Sequence, residues 1–461
     1  MLFNSTVFLG FFALVYGLYL ALRRSHRAQN ALLLAASYAF YGWWDWRFLA
    51  LLGLSTAVDF AAGLGIERAG GEGGRRRLLV LSVGVNLGVL ACFKYLDFFA
   101  DGLIRLAGLF GLSLGPVTLD LVLPVGISFY TFQSMSYTID VYRRRLPATR
   151  DPLDFALFIA FFPQLVAGPI ERAARLLPQL AAARRVDAEC VHVGLFLLCC
   201  GYFKKVVVAD NAGRLADHVF ANHALYDSLD LGLGVLAFGV QIYGDFSGYS
   251  DIARGLAKLL GIELSVNFRL PYFARSPGEF WRRWHVSLSE WLRDYLYIPL
   301  GGSRGGRAHT ARNLMLTMLL GGLWHGAAWN FAIWGAYHGA LLVAFRWLPG
   351  TRTARVAGAV ATPLLIALGW MIFRAASLEE LAYFATHLGV TPSALSSRFA
   401  WDLAFFALPL FALEALMERR GDLLAPLRTP LGAQMLLASF LLVWIAVFGA
   451  RQPVEFVYFQ F

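Results

Sequence analysis

Long apolar runs, each closed by a short polar or basic stretch, set the pattern of this chain. They lie near 5–22, 30–66, 78–97, 120–141, 190–209, 228–250, 312–346, 355–373, 401–417 and 431–450. Each is long enough for a helix to cross about 30 Å of hydrocarbon, which takes roughly 20 residues. The run 30–66 reads as two helices split around Trp44–Arg47, so the pattern predicts about ten or eleven spans. Shorter apolar pieces near 98–114, 153–169 and 379–389 predict re-entrant or interfacial helices. No repeat, low-complexity tract or linker divides the chain. The expectation is one domain over 1–461, an all-α polytopic membrane bundle.

Polar positions orient the runs. Arg23, Arg24 and Arg27 follow the first, Arg75–Arg77 the third, and Arg143–Arg145 the one ending near Val141. Alternating spans put all three clusters on one side, which the positive-inside bias makes cytoplasmic, with the N-terminus outside. The opening MLFNSTVFLGFFALVYGLYLALRRSHR has no basic stretch before its apolar core and no small-residue cleavage site after it. It reads as a retained first span. In RSPGEFWRRWHVSLSEWLRDYLYIPLGG, Ser276, Pro277 and Glu279 fit a capping box with proline at the first helical position. Phe280, Trp284, Leu288, Trp291 and Tyr295 form an aromatic stripe at helical spacing. Arg282, Arg283, Glu290, Arg293 and Asp294 are too charged for a lipid-facing span. The segment predicts an amphipathic helix at the cytoplasmic interface or dipping into a protein cavity.

Composition agrees. The chain is 58% hydrophobic and 15% charged, against about 25% charged in soluble domains. The net charge of +10 is explained by basic cytoplasmic loops and gives no support to nucleic-acid binding. Cys92, Cys190, Cys199 and Cys200 show no metal-ligand spacing and no disulfide framework.

Few residues in so apolar a chain carry chemistry. From Asn313 to Phe345 there is no Asp, Glu, Lys or Arg, yet the run holds His325 and His338. As one straight helix it reaches about 50 Å, so it must tilt, break or extend past the hydrocarbon. His325 stands about 20 Å along from Arg312. An ionisable group at that depth usually faces a bundle interior or an aqueous cavity. Gly321 and Gly322 share its helical face and predict a groove for a backbone or substrate. A buried histidine bonded to a neighbouring helix is the other reading. On one straight helix His338 lies about 20 Å further along, so the two rings cannot act together. His285, inside FWRRWH, also suits a plain interfacial helix. Asp245 and Asp251, in QIYGDFSGYSDIARG, would line an aqueous cavity or sit in a glycine-rich helix break satisfied by neighbours. GGSRGGR at 301–307 reads as a flexible cytoplasmic loop, with phosphate wrapping by backbone N–H groups as the alternative. No Walker loop, dinucleotide fingerprint, HExxH or GxSxG occurs, so no cofactor and no metal is expected.

Several stretches resemble the membrane-bound O-acyltransferase family, within it the bacterial alginate O-acetylation subgroup. They are FFPQLVAGPIER at 161–172, FKKVVVADN at 203–211, YGDFSGYSDIARG at 243–255, FWRRWHVSLSEWLRDYLYIPLGGSRGG at 280–306 and RNLMLTMLLGGLWHGAAWNFAIWGAYHG at 312–339. The terminal MLFNS and VYFQF are similar too. The resemblance implies that His325 is the catalytic histidine and His285 the second functional one. It implies a helical bundle around a central tunnel joining the two membrane faces. The implied reaction carries acetyl from a cytoplasmic thioester, acetyl-CoA being the expected donor, towards an extracytoplasmic polysaccharide. Neutral His325 would take the acceptor hydroxyl's proton. The implied setting is the bacterial inner membrane, with a periplasmic serine-dependent acetyltransferase as partner. Arg282, Arg283, Asp245, Trp324 and Asn330 are the candidate substrate-binding residues. Charge alone suggests that Arg282, Arg283 and Lys258 attract the donor's phosphates. D-alanyl transfer to teichoic acid is the alternative within the family. A secondary transporter or polysaccharide exporter is the alternative outside it, although no inverted repeat supports it. The polymer, and whether a covalent intermediate forms, stay open.

Overall fold

The structure is a computed structural model that describes residues 1–113, 115, 122–166, 168–348, 351–450 and 456–457. Leu114 at the end of the expected 98–114 piece, residues 120–121 of one expected span, Ala167, and 458–461 of the C-terminal VYFQF lie outside the described residues. All regular structure among the described residues is helical.

The first part holds α1 (Thr6–Ala21), α2 (His26–Asp45), α3 (Leu49–Arg68), α4 (Glu72–Lys94), α5 (Leu96–Leu109) and α6 (Ile127–Tyr142). The short α7 (Pro152–Ala160), α8 (Phe162–Leu165) and α9 (Ala173–Leu180) follow. Next, α10 (Ala188–Tyr202) and α11 (Asp210–Ala221) are joined through a π-helical stretch at Phe203–Ala209, beside the long α12 (Ser228–Leu259). The last part holds α13 (Pro277–Arg283), α14 (Val286–Leu292), α15 (Arg307–His325), α16 (Trp329–Arg346) and α17 (Arg352–Arg374). It closes with α18 (Leu378–His387), α19 (Ser396–Arg420) and α20 (Leu431–Phe448).

Among the described residues, seven helical stretches are long and apolar enough to cross a membrane. The chain is a multi-pass membrane protein. The first of these stretches, His26–Arg68, holds α2 and α3 with a short turn at Trp46–Phe48, close to the expected split. The piece at 153–169 holds α7 and α8, and Phe155 and Phe158 on α7, Phe162 on α8 and Phe161 between them are fully buried. This segment is therefore enclosed by the protein itself. A continuous run of aromatic and aliphatic side chains is compatible with that burial on all sides.

The three basic loops gather at one end. Arg27 pairs with Asp151 at 3.3 Å and Arg150 with Glu67 at 3.9 Å. Arg75 donates to the carbonyl of Tyr142 at 2.6 Å, which ties the start of α4 to the end of α6.

Two expectations change. The apolar run 312–346 breaks at Gly326–Ala328, and α16 folds back along α15. The glycines allow this. A Cβ at Gly322 would overlap the carbonyl oxygen of Phe331, and one at Gly335 would overlap that of Met318. Gly321 lies against Leu292, with 3.1 Å between a built Cβ and Leu292 Cδ1. Gly321 and Gly322 therefore serve helix packing and do not form the expected substrate groove. Second, the stretch 276–299 is not one interfacial helix. It breaks at Trp284–His285 into α13 and α14, with Phe280, Trp284, Leu288 and Trp291 buried. The cap is as expected: Ser276 accepts from the N–H of Glu279 at 3.2 Å. The break puts His285 at φ 42°, in the left-handed region, at a cost of about 1–2 kcal/mol for an L residue. Pairing offsets that cost, because Val286 N–H donates to Asn267 O at 2.9 Å and Arg269 N–H to Arg283 O at 2.9 Å.

Candidate active site

The fold places His325 as the last residue of α15, where helix carbonyls lack intrahelical partners. Three of these are satisfied from α4 and the residue after it. Lys94 Nζ donates to Trp324 O at 2.7 Å and to His325 O at 2.8 Å, and Tyr95 Oη donates to Leu323 O at 2.6 Å. A cation at a helix C-terminus also complements the helix dipole. The His325 ring lies edge-to-face with Trp324 at 5.0 Å, Trp334 at 5.1 Å and Phe373 at 5.5 Å. It opens onto a cavity of about 50 Å³ lined by Lys94, Gly126, Phe129, Val166 and Trp324. The cavity lies towards the end of α4 and the start of α6, at the opposite end from the basic loops.

His285 is completely buried. Its ring stacks on Phe129 at 6.2 Å and meets Phe246 edge-on at 4.6 Å. Trp324 makes edge-to-face contacts with both imidazoles, at 6.1 Å from His285 and 5.0 Å from His325. Of the predicted site residues, the structure brings His325, His285 and Trp324 together.

The others stand elsewhere, for physical reasons. Asp245 does not line the cavity. Its carboxylate pairs with Lys205 at 2.8 Å and accepts the Val457 N–H at 2.6 Å, while Lys205 also pairs with Asp210 at 2.8 Å. Asp251 pairs with Lys204 at 2.9 Å. Helix α12 runs unbroken through this region. The acids are there because the π-helical stretch presents the buried Lys205 and the half-buried Lys204 to α12, and charges held out of water need partners. Arg283 is engaged by Glu279 at 2.7 Å and Glu418 at 2.8 Å, and Lys258 by Glu263 at 2.6 Å. Arg282 is exposed. Asn330 donates to the carbonyls of Phe373 and Ala375 at 3.2 and 3.0 Å, which fastens α16 to the end of α17. His338 is not distant from His325, because the fold-back sets both rings against Trp334, His338 at 4.8 Å and His325 at 5.1 Å. GGSRGG is no loose loop. Asn313 Nδ2 holds Gly302 O at 2.9 Å and Arg346 holds Ser303 Oγ at 3.1 Å.

Lys94, Tyr95 and Asn267 escaped sequence reasoning. Lys94 had a readable signal, an ionisable residue inside the apolar run GVLACFKYLDFF.

A helical membrane bundle thus brings His285 and His325, both buried, together beside a cavity through a broken hairpin and a broken short helix. The sequence model of the membrane-bound O-acyltransferase family matches residues 142–378, which include His285 and His325. "Probable alginate O-acetylase AlgI" of Azotobacter vinelandii is 48% identical over 386 residues, 82% of this chain and 76% of that protein. "Peptidoglycan O-acetyltransferase" of Helicobacter pylori is 35% identical over 82% of this chain and 78% of its own. "Teichoic acid D-alanyltransferase" of Bacillus subtilis is 28% identical over 55% of this chain and 69% of its own. The chain belongs to the membrane-bound O-acyltransferase family, and it is an O-acyltransferase.

Proposed function

We propose that this enzyme carries an acetyl group from a thioester on the basic, cytoplasmic side to a hydroxyl on the opposite side, for O-acetylation of an extracytoplasmic polysaccharide such as alginate. One observation carries the reading. His325 ends α15 at a cavity opposite the basic loops, with His285 beside it beneath Trp324. In this reading the acceptor oxygen attacks the thioester carbonyl while its proton passes to neutral His325. The C–S bond breaks, and the departing sulfur takes the proton from the imidazolium. Acetyl-CoA is the donor, and exposed Arg282 meets its phosphates. The setting is the bacterial inner membrane, and a periplasmic serine-dependent acetyltransferase completes delivery to the sugar. The O-acetylases match over 82% of this chain and the D-alanyltransferase over 55%, which favours acetyl.

Mass analysis of surface polysaccharide from cells with and without the gene tests the reading. Loss of O-acetyl groups is expected in the deletion. Unchanged O-acetyl content overturns it, and loss of D-alanyl esters from teichoic acid would replace it with that alternative.

A further inference from the structure

The hydrogen bonds around His285 fix which of its nitrogens carries the proton. Asn267 is buried, and its Oδ1 meets three groups: His285 Nδ1 at 3.1 Å, Ser287 N at 3.3 Å and Ser287 Oγ at 2.9 Å. The Ser287 backbone N–H can only donate, so the amide atom facing it is the oxygen. The other end agrees, since Asn267 Nδ2 donates to Ser250 Oγ at 3.4 Å. Ser287 Oγ accepts from Ile170 N–H at 3.0 Å, which leaves its own proton for Asn267 Oδ1. A carbonyl oxygen brings no proton, so His285 Nδ1 must supply the one in their bond. A neutral imidazole has a single N–H, and Nε2 is therefore bare. Nε2 has no hydrogen-bond partner among the described residues. The ring lies among those of Phe129, Phe246 and Trp324, the last shared with His325.

We propose that Asn267 is a positioning residue that holds His285 as the Nδ1–H tautomer, so that Nε2 offers a lone pair to an O–H or S–H group of the reactants. His285 then accepts a hydrogen bond and does not donate one to the acyl carbonyl oxygen. The buried triangle of Asn267, His285 and Ser287 also explains why the left-handed turn at His285 persists. One of the bonds that hold the turn, Val286 N–H to Asn267 O, and the bond that sets the tautomer come from the same asparagine.

The functional consequence rests on the acyl-transfer reading above, so the test has two arms. In the first, inverted membrane vesicles carrying the full chain receive radiolabelled acetyl-CoA, and label entering polysaccharide is followed as donor concentration varies. Asn267→Leu is expected to lower kcat on the order of 10²-fold or more, as loss of a tautomer-fixing partner does, with KM for acetyl-CoA nearly unchanged. Asn267→Asp keeps the acceptor oxygen and should restore most of the rate. Wild-type kcat in Asn267→Leu, or Asn267→Asp as slow as Asn267→Leu, overturns the proposal. The second arm needs no turnover. Ring-nitrogen NMR of the purified wild-type protein identifies His285 as the signal lost in His285→Asn. That signal should show a protonated Nδ1 and a bare Nε2; a protonated Nε2 overturns the proposal even if Asn267→Leu fails to fold. Vesicles of the wild type that move no label count against the acetyl-CoA donor, while the NMR result still decides the tautomer.

Discussion

Three side chains around the end of α15 have separable roles, and substitution should separate them. His325→Ala removes the expected base and should lower acetylation by about 10²–10⁴-fold at unchanged protein level, read as polymer O-acetyl content in cells with matched expression. His338→Ala should differ in kind. That ring is buried between Trp281 and Trp334, so its removal leaves a void that lowers the melting temperature while activity per folded molecule survives. A dead but stable His338→Ala, with an active His325→Ala, would show that the two histidines have been assigned the wrong way round. Lys94→Met strips two carbonyls of their donor. Bonds to a charged group are worth about 1.5–3 kcal/mol each, so this variant should be both less stable and slower, and Lys94→Arg should recover much of each. Equal melting curves for Lys94→Met and wild type would argue against this capping role. The histidines were legible in the sequence because the apolar run is otherwise uncharged. Asn267 was not, because its importance lies in a pairing across 18 residues that no local pattern records.

The α15–α16 hairpin turns an apolar run too long for one span into a site. Its close packing predicts that Gly322→Ala, whose new Cβ would overlap the carbonyl of Phe331, forces the helices apart. Overpacking of this kind costs about 1–3 kcal/mol. The same shift should displace His325, so acetylation should fall together with the melting temperature in detergent, whereas Gly84→Ala, with open space around it, should change neither. Sequence periodicity foresaw that the run had to bend or break, but could not tell that the glycines face a helix rather than a substrate. Both uses place small residues on one helical face. The segment 276–299 shows the same limit: its aromatic stripe is at helical spacing, yet the helix breaks at His285 because contacts with Asn267 outweigh local helical preference.

At the scale of the whole molecule, the apolar runs and the arginine clusters made the membrane class legible, and the ion pairs joining the basic loops bring those clusters to one end. In a cysteine-free background, a cysteine at Gly73 should resist an impermeant maleimide in intact cells and one at Asp101 should react; the reverse labelling would invert the topology. The buried Lys205 triad predicts a large effect at residues that do not line the cavity. Lys205→Met leaves Asp210 and Asp245 without their cation, and breaking such a cluster costs about 3–5 kcal/mol, so folded protein recovered from membranes should drop sharply. Which polar residues serve the fold and which the reaction was hidden from the sequence, because a carboxylate in an apolar run looks the same in either use. One feature of the site bears on the cell's energy supply. Acyl transfer between two compartments asks for a route through the bilayer, and an open water-filled route would leak protons down a gradient worth about 2.3 kcal/mol per charge for every 100 mV. If acyl transfer joins the two faces as proposed above, the indole of Trp324, set against Phe129 and both imidazoles, would be an insulator as well as a wall: Trp324→Ala should then lower the membrane potential of a growing cell, read with a potential-sensitive dye.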